Sequence, residues 1–400
     1  MHVARVILAG AKRYERQELD VALEKVFNGL GGIQKFLPGN GKTVLLKPNF
    51  LVPKREESAV TTNPHFIAAV ARMVRKHHQG PILVGDGPGL GTANLVAKKL
   101  NLHDLLEPYN VKIVDFIETL PVKGGGDFGP MDFAKPLVQA DAVINLPKVK
   151  THGQMYFTCG VKNCFGAFVG LDKSRLHLTA GRDYRTFARL LIETWKRVAP
   201  VLTIADGVTA LEGNGPGNGD PRFLGLIAGS GNAMALDRVI AEILGFDPSG
   251  IPVLAEAKTM GEPFTDLPQI QVMGDPLDMF KVKDFKPAID VSPVYNANLP
   301  GFVADFMRKY WTSRPVVNHG KCTRCGQCVK HCPATAMEIR AGRHNRSESL
   351  QIDLDACIRC FVCQEICPEG SISVAKGPLL KAFGLGESLL MKTSRRLGLH

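Results

Sequence analysis

The sequence predicts an α/β domain with a largely parallel sheet, followed by a small cysteine-rich domain. In the first 250 residues, short apolar runs that are typical of buried strands alternate with amphipathic helical segments. Farther along the chain, eight of the ten cysteines fall into two groups with the same spacing. At 400 residues, 45% of them hydrophobic, the chain is long enough to bury the cores of two or three domains.

Six apolar runs are predicted to be strands, namely Val3–Gly10, Thr43–Phe50, Ile82–Asp86, Lys112–Phe116, Asp141–Leu146 and Val201–Asp206. Three segments with apolar residues at helical spacing are predicted to be helices, namely Asn63–His78, Asp183–Ala199 and Asn232–Phe246. Asn63 and Pro64 form a typical helix start, and Gly245 is a typical helix end. Because strands and helices alternate, we expect the strands to form a largely parallel sheet.

The domain boundaries are predicted from composition. Residues 258–310 are rich in proline and lack a clear period, which predicts irregular structure packed on the first domain. We therefore predict an α/β substrate-binding domain at residues 1–312, a cysteine-rich domain at 313–375 and a basic tail at 376–400. The tail contains several leucines, which indicates either an amphipathic helix on a membrane or partner, or a terminal helix docked on the protein itself.

Three features predict a cytoplasmic protein. The N-terminus lacks the cleavage site of a signal peptide, and no unbroken apolar stretch reaches the roughly 18 residues of a membrane span. Short-spaced cysteines without an export signal favour reduced thiols over disulfides.

The formal net charge of +11 indicates anionic partners. We expect a small anionic substrate and a redox partner protein rather than nucleic acid, and we leave open a peripheral membrane contact through the tail.

One cysteine motif occurs twice in the cysteine-rich segment. Its first copy is Cys322-x2-Cys325-x2-Cys328-x3-Cys332-Pro333, and it recurs 35 residues later as Cys357-x2-Cys360-x2-Cys363-x3-Cys367-Pro368. Three thiolates in a tight loop can bind three corners of a cubane, while the fourth cysteine points towards a second cluster. Structural zinc sites use two separated pairs of ligands instead. The spacing therefore predicts two [4Fe-4S] clusters, which either transfer electrons or only brace the fold.

This segment resembles the bacterial two-cluster ferredoxins, and the resemblance implies how the ligands are shared. One cluster would be bound by Cys322, Cys325, Cys328 and Cys367, and the other by Cys357, Cys360, Cys363 and Cys332. Short predicted strands, Met337–Arg340 and Ser371–Val374, follow each motif as that fold requires. The resemblance thus implies a small ferredoxin-like α+β domain that transfers electrons.

Two glycine-rich segments are candidate binding loops. The first follows a predicted strand, and the backbone N–H groups of Gly87 and Gly89 could bind an anion there, or the segment could be only a tight turn. The second contains Gly215 among several other glycines, and the entropy lost in ordering them favours a binding loop. Asp206 and Glu212 border this loop and could bind a cation or substrate hydroxyls, or could remain solvated carboxylates.

A basic segment begins where a predicted strand ends, with eight Lys or Arg and two Asp or Glu between Asn145 and Arg189. Such strand ends are where α/β sheets bind ligands. Lys162 is the main candidate for holding an anion, because its neighbours are glycines and apolar residues rather than other charges. His152 and His177 are candidates for proton transfer, because histidine titrates near neutrality.

Six motifs carry a resemblance to a known family, namely Lys47-Pro48-Asn49, Thr61-Thr62-Asn63-Pro64-His65, Gly85-Asp86-Gly87-Pro88-Gly89, Asn145-Leu146-Pro147-Lys148-Val149-Lys150-Thr151-His152, Lys162-Asn163 and Glu212-Gly213-Asn214-Gly215-Pro216. Over about residues 3–250 the sequence resembles the family called domain of unknown function 362. Members of this family are often fused to a two-cluster ferredoxin module, but the family name implies no reaction.

A second, local resemblance involves His152, the run from Thr158 to Lys162, and His177. Their order and approximate spacing are similar to a stretch of the nickel-pincer lactate racemase family. In that family a histidine acts as acid or base, a lysine anchors the cofactor and another histidine binds nickel. Here Cys159 replaces the second glycine of that family's turn. The resemblance therefore implies one site shared by the lysine and the two histidines rather than a particular cofactor.

Together these features predict an iron-sulfur oxidoreductase in which two [4Fe-4S] clusters exchange electrons with a small anion. Lys162 would hold or polarise the anion, and the two histidines would transfer protons. Two other functions remain open. The chain could be an electron carrier or scaffold without its own substrate, or a non-redox enzyme, such as an isomerase or cofactor-modifying protein, whose clusters are structural.

Overall fold

The computed structural model describes residues 3–180, 183–288, 310, 312–340 and 348–377. The strands before the cysteine motifs are β1 (Ala4–Gly10), β2 (Val44–Pro48), β3 (Ile82–Val84), β4 (Val111–Ile113), β5 (Thr119–Val122), β6 (Met131–Ala134), β7 (Ala142–Leu146), β8 (Lys148–His152), β9 (Tyr156–Thr158), β10 (Leu202–Glu212), β11 (Asp220–Ser230) and β12 (Ile270–Gly274).

The α-helices in the same region are α1 (Arg16–Gly29), α2 (Pro64–His77), α3 (Ala93–Lys99), α4 (Leu102–Leu106), α5 (Lys135–Gln139), α6 (Gly160–Asn163), α7 (Asp172–Ala180), α8 (Tyr184–Val198), α9 (Ala233–Ile243) and α10 (Pro252–Thr259). The elements of the cysteine-rich region are β13 (Arg314–Val317), α11 (Gln327–Lys330), β14 (Met337–Arg340), β15 (Ser349–Ile352), α12 (Val362–Ile366) and β16 (Ile372–Ala375).

The first region is built on a large, mostly parallel sheet. Its strand order is β12-β1-β11-β10-β7-β2-β3-β4, with β8 paired to β10 and β9 paired to β8. Strands β2, β3, β4 and β7 are parallel to their neighbours in this sheet, whereas β11 is antiparallel to both β1 and β10. The predicted α/β domain with a largely parallel sheet is confirmed.

Helices cover both faces of the sheet, because successive residues of each strand point to opposite sides. Buried residues of α1, α2, α3 and α4 pack on one face, for example Leu23 and Phe66. Buried residues of α8, α9 and α10 pack on the other, for example Leu191 and Ile240. The core is therefore split into two apolar layers, which leaves the strand ends as the place for polar residues.

The predicted strands and helices of this region are all present, and the largest difference is at β10, which continues to Glu212 instead of ending at Asp206. The side chain of Asn63 accepts a hydrogen bond from the backbone N–H of His65 and caps α2. Gly245 has a φ of 69° just after α9, as expected for a helix-ending glycine. The prediction of irregular structure after residue 258 is wrong in part, since β12 pairs with β1 at the sheet edge.

β12 was hard to predict because it pairs on one side only and buries a single residue, Ile270, so its apolar pattern is weak. Much of the remaining proline-rich stretch, residues 289–309 and 311, lies outside the described residues.

The cysteine-rich region folds as two short antiparallel ribbons, β13 with β16 and β14 with β15, and one short helix in each cysteine motif. The predicted small ferredoxin-like α+β domain is confirmed. Of the predicted basic tail, residues 378–400 lie outside the described residues. No helix in the described ranges has the length and apolar character needed to cross a membrane.

Candidate active site

Two buried lysines at strand ends are fully paired and act as structural supports. Lys47 at the end of β2 donates to Asp86 at 2.7 Å and to the carbonyl of Asn163. Lys148 on β8 donates to Asp206 at 2.9 Å, and Tyr14 donates its hydroxyl hydrogen to the other oxygen of Asp206 at 2.7 Å. Buried charges need such partners. Asp206 is therefore engaged in a buried ion pair and does not border a binding loop as a free carboxylate.

Lys150, also on β8, is buried without an ion-pair partner among the described residues. Its ammonium group donates to the side-chain oxygen of Asn49 at 2.7 Å and to the carbonyl of Val60 at 2.9 Å. Burial, together with the positive charge of Lys162, lowers the pKa of Lys150 to about 7. Lys150 and Lys162 thus place two ammonium groups without ion-pair partners among the described residues near one another at this part of the sheet edge.

His152 at the end of β8 contacts a residue of the second cysteine motif. Its Nε2 atom lies 2.8 Å from Oε1 of Glu365. Its Nδ1 atom accepts hydrogen bonds from the backbone N–H groups of Gln154 and Met155. Because Nδ1 is an acceptor, the ring proton of the neutral form must lie on Nε2, the ring nitrogen beside the carboxylate. The two backbone bonds thus fix the tautomer.

The protonation states of this pair follow from burial and from nearby lysine charge. Burial, followed by the charge of Lys162, lowers the pKa of His152 to about 4. Burial acts to raise the pKa of Glu365, but His152 and Lys162 hold it below its ordinary value. At neutral pH the pair is therefore a neutral imidazole beside a carboxylate.

Lys162 lies on α6 and is half-buried. Two N–H groups that open this helix, those of Gly160 and Val161, donate to the buried carboxylate of Asp237 at 2.6 and 3.0 Å, which fixes the helix. The ammonium group of Lys162 lies 5.7 Å from the ring centre of Phe165. Within the described residues it forms no hydrogen bond or ion pair, and burial lowers its pKa. It is thus a cation that lacks an anion in direct contact.

His177 lies on α7, and the aromatic rings of two phenylalanines hold it in place. Its ring stacks on Phe187 at 4.2 Å between centres and meets the edge of Phe165 at 5.6 Å. The side chain is buried, and its Nδ1 atom has no hydrogen-bond partner in the structure. Burial lowers the pKa of His177 to about 3, so the imidazole is neutral. A buried polar atom without a partner is expected to meet a ligand or water.

Lys162 and His177 line one cavity between the sheet and the cysteine motifs, with a volume of about 80 Å³. Its walls are formed by Asn49, Phe50, Leu51, Asp86, Gly87, Gly89, Lys162, Asn163, Phe165, Gly166, Gly170, Lys173, Ser174, His177, His331, Val362, Glu365 and Ile366. At roughly 10–15 Å³ for each water, it has room for about five to eight waters or a small molecule of that size. His152 does not line the cavity itself but contacts Glu365, which does.

Four polar residues of the cavity wall were not predicted as site residues from sequence. Lys173 and Ser174 precede His177 on α7, and His331 and Glu365 come from the two cysteine motifs. Lys173 donates to the carbonyls of Gly87 and Pro88, and burial lowers its pKa to about 8. Lys173 is part of the basic segment, which was a usable signal. Glu365 and His331 gave none, because their position depends on how the two domains pack.

The first glycine-rich turn borders the cavity, but not as an anion-binding loop. The N–H of Gly87 donates to the carbonyl of Gly166, and that of Gly89 donates to the carbonyl of Leu51. These donors are therefore already used. A side chain at Gly87 would lie 2.5 Å from the carbonyl of Phe168, so the glycine permits close packing. The tight-turn alternative describes the hydrogen bonds of these N–H groups, while both glycines line the cavity.

The second glycine-rich loop contacts the cysteine-rich region instead of the cavity. Asn218 donates to the carbonyl of Gln364 at 3.0 Å, and Gln364 donates to the carbonyl of Asn214 at 2.9 Å. A side chain at Gly217 would lie 2.6 Å from the carbonyl of Glu365. The loop thus forms a docking surface for α12, and it positions Glu365.

The other predicted residues of this loop have structural partners. Gly215 packs on Thr151, where a side chain would lie 2.2 Å from the carbonyl oxygen. Glu212 accepts a hydrogen bond from the backbone N–H of Lys286 at 3.0 Å, and the Lys286 ammonium group lies 3.6 Å from the same carboxylate. None of Asp206, Glu212 and Gly215 lines the cavity.

Cysteines of the two motifs lie close to one another. Cys322, Cys325, Cys328 and Cys367 line one cavity. Burial raises the pKa of Cys360 to about 12, and the neighbouring thiols of Cys357 and Cys332 add to this. The last cysteine of each motif accepts a hydrogen bond from the backbone N–H four residues later, Cys332 from Ala336 and Cys367 from Ser371. N–H donors to sulfur stabilise thiolates, so this donor set fits [4Fe-4S] clusters.

Comparison with known proteins matches both parts of the chain. Residues 44–242 match the family model described as domain of unknown function (DUF362), and residues 314–368 match the model of a 4Fe-4S dicluster domain. The thylakoid-associated protein sll1697 of Synechocystis is 40% identical over 259 residues, which cover 65% of this chain and 80% of that protein.

Two further similarities cover smaller parts. Pyruvate synthase subunit PorD of Methanocaldococcus jannaschii is 31% identical over 62 residues, which are 16% of this chain and 66% of that protein. The lactate racemase apoprotein of Thermoanaerobacterium thermosaccharolyticum is a solved structure with 14% identity and a TM-score of 0.35, over 51% of this chain and 50% of that one. Such a score supports no argument about the site.

The matched dicluster model and the similarity to a pyruvate synthase subunit support an iron-sulfur electron-transfer role for the C-terminal region. The match of residues 44–242, together with the long similarity to the Synechocystis protein, shows the family to which the chain belongs. The protein is a member of the DUF362 family that carries a C-terminal 4Fe-4S dicluster domain.

Proposed function

We propose that this protein is an iron-sulfur oxidoreductase whose cavity binds a small anion that exchanges electrons with the dicluster domain. The observation that carries the proposal is the position of Glu365. It lies between Cys363 and Cys367 in the second cysteine motif, yet it lines the same cavity as Lys162 and His177. A ligand in this cavity would therefore lie directly against the cluster-binding segment.

The charge of the cavity supports an anion as the ligand. Lys162 has no anion in direct contact, and Lys173 bonds only to carbonyl oxygens. Asp86 is already paired with Lys47. A small carboxylate or phosphate would compensate the unpaired ammonium group, and would relieve the desolvation that lowers the pKa of Lys162. The volume of about 80 Å³ supports a molecule of only a few non-hydrogen atoms.

The neutral histidines supply the proton chemistry in this proposal. His177 presents an unpartnered Nδ1 atom, which can accept a hydrogen bond from the ligand or donate one, depending on its tautomer. The Nε2 atom of His152 lies 2.8 Å from Glu365 and helps to position this carboxylate, which can accept a hydrogen bond from the ligand. Two [4Fe-4S] clusters, when bound, would supply or remove single electrons.

We also propose that the protein works in a reducing compartment such as the cytoplasm, because eight of its ten cysteines would serve as cluster ligands rather than form disulfides. A redox partner protein would complete the electron path. The name of the Synechocystis relative makes association with a membrane the alternative setting.

The test uses the holoprotein, prepared anaerobically and reduced with dithionite that is then removed. Small carboxylates and inorganic phosphate are screened for binding. Oxidised members of the same carboxylate series are then tested for their ability to reoxidise the clusters, and the visible absorption of the clusters reports this reaction. The K162Q variant should keep its iron and its reduction by dithionite but lose both responses.

Each other outcome identifies a rival function. If no anion binds in the cavity, the protein is an electron carrier or scaffold. If an anion binds and is converted while the oxidation state of the clusters stays constant, the protein is a non-redox enzyme with structural clusters.

A further inference from the structure

Each cysteine motif contains an arginine directly before its second cysteine, and the two arginines differ in burial. Arg324 precedes Cys325, Arg359 precedes Cys360, and both have left-handed backbone angles, with φ of 58° and 61°. Arg324 is exposed and donates to the carbonyl of Glu348. Arg359 is only 3% exposed, and its Nε and Nη1 atoms have no hydrogen-bond partner. Equivalent positions of one repeated motif thus hold a solvated and a buried cation.

A buried guanidinium without a partner needs an anion, because it stays charged at all relevant pH values and burial of an isolated charge is unfavourable. Within the described residues, no carboxylate forms an ion pair with Arg359. Its neighbours along the chain are Cys357 and Cys360, which are proposed to bind one cluster. A [4Fe-4S] cluster with four thiolate ligands has a net negative charge. In the loaded protein that cluster would bring an anion to the segment that carries the unpaired Arg359 guanidinium.

The two cluster sites also differ in their surroundings. Cys360 is buried and packs with Val362, Ile366 and Leu90, whereas Cys325 is exposed. The site with Arg359 therefore lies against the sheet domain and the cavity, and the site with Arg324 is open to solvent. A charge acts more strongly in a buried, low-dielectric environment than in water.

We propose that Arg359 raises the reduction potential of the cluster bound by Cys357, Cys360, Cys363 and Cys332 above that of the other cluster. Reduction by one electron adds one negative charge, which a buried cation stabilises more than a solvated one does. An electron given at the exposed site by a one-electron carrier protein would then reside beside the cavity. That position would hold the electron next to an anion bound in the cavity. Only that last consequence rests on the proposed function.

The experiment measures the midpoint potentials of both clusters in the holoprotein, by redox titration followed by electron paramagnetic resonance, without any added anion. We expect Arg359→Gln to lower the higher of the two potentials. The matched control Arg324→Gln should shift either potential by less. Arg359→Lys keeps the charge and should restore most of the wild-type value, with iron content unchanged. The proposal is overturned if R359Q shifts the potentials no more than R324Q does, or if R359K behaves like R359Q.

Loading with iron answers the same question if R359Q fails to hold its clusters. In that case R359K should load normally while Arg359→Met does not, since the missing countercharge is the cause. Equal failure of the lysine and methionine variants would assign Arg359 a packing role and overturn the proposal. Because no ligand is used, a failure to find a substrate leaves this result unaffected.

Discussion

Oε1 of Glu365 lies 2.8 Å from Nε2 of His152, although one residue belongs to the dicluster domain and the other to β8 of the sheet domain. This contact joins the cluster-binding segment to the edge of the sheet. It also places a carboxylate in a cavity that otherwise has an excess of lysine charge. The consequences of this arrangement can be measured.

Glu365 and Lys162 should have opposite effects on anion binding. Glu365→Gln removes a negative charge from the cavity wall, so the affinity for the best-binding small anion should rise by about tenfold. Lys162→Gln removes the unpaired cation, so the affinity should fall by about tenfold or more. Titration calorimetry on the anaerobic holoprotein measures both, with iron content as the control. If the affinity for the anion changed in the same direction in both variants, the anion would bind elsewhere.

Anion affinity should depend on pH through Lys173. The pKa of Lys173 is about 8 in the protein without ligand, so below this pH the ammonium form attracts the anion fully. Above it the affinity should fall, by up to about tenfold for each pH unit, because binding must then also take up a proton. Lys173→Gln should bind more weakly at neutral pH and lose this inflection. If the inflection in the pH dependence of the affinity persisted in K173Q, it would belong to another titrating group.

The glycine-rich loop should control the position of α12. A methyl group at Gly217 would lie 2.6 Å from the carbonyl of Glu365, so Gly217→Ala must displace this backbone. We expect faster hydrogen exchange in α12 and weaker anion binding, with iron retained. Gly250→Ala is the matched control, since a side chain there meets nothing within 4 Å. Unchanged exchange in G217A would mean that the loop does not hold α12 in solution.

The fourth cysteines should bind the cluster of the opposite motif. Cys367→Ala should remove the cluster that Cys322, Cys325 and Cys328 bind, because these four residues line one cavity. Cys332→Ala should remove the other cluster. Iron analysis should show loss of about half the iron in each variant, and the remaining electron paramagnetic resonance signals of the two variants should differ. Identical residual spectra would contradict the exchange of ligands.

The sequence predicted the sheet domain well, because buried parallel strands and amphipathic helices leave strong apolar patterns, as in β2 and α2. It also singled out Lys162, His152 and His177, since all three belong to one unusual basic segment. The structure brings Lys162 and His177 into one cavity and joins His152 to it through Glu365.

Other features depend on contacts that no local pattern encodes. Glu365 gave no signal because its role arises from the packing of two domains. The loop around Gly215 was predicted to bind a ligand because ordering its glycines costs entropy. In the structure, contacts with Gln364 rather than with a small ligand offset this entropy cost. Composition alone could not distinguish these two partners.

The central claim is that a small anion in the cavity lies next to the dicluster domain and depends on Lys162. It is tested most directly by recording the electron paramagnetic resonance spectrum of the reduced holoprotein while small carboxylates or phosphate are added, in wild type and in K162Q. We predict that at least one anion saturates a single site and changes the spectrum of one cluster. In K162Q the same change should require an anion concentration about tenfold higher. Spectra that do not respond to any anion, or that respond equally in K162Q, would contradict it.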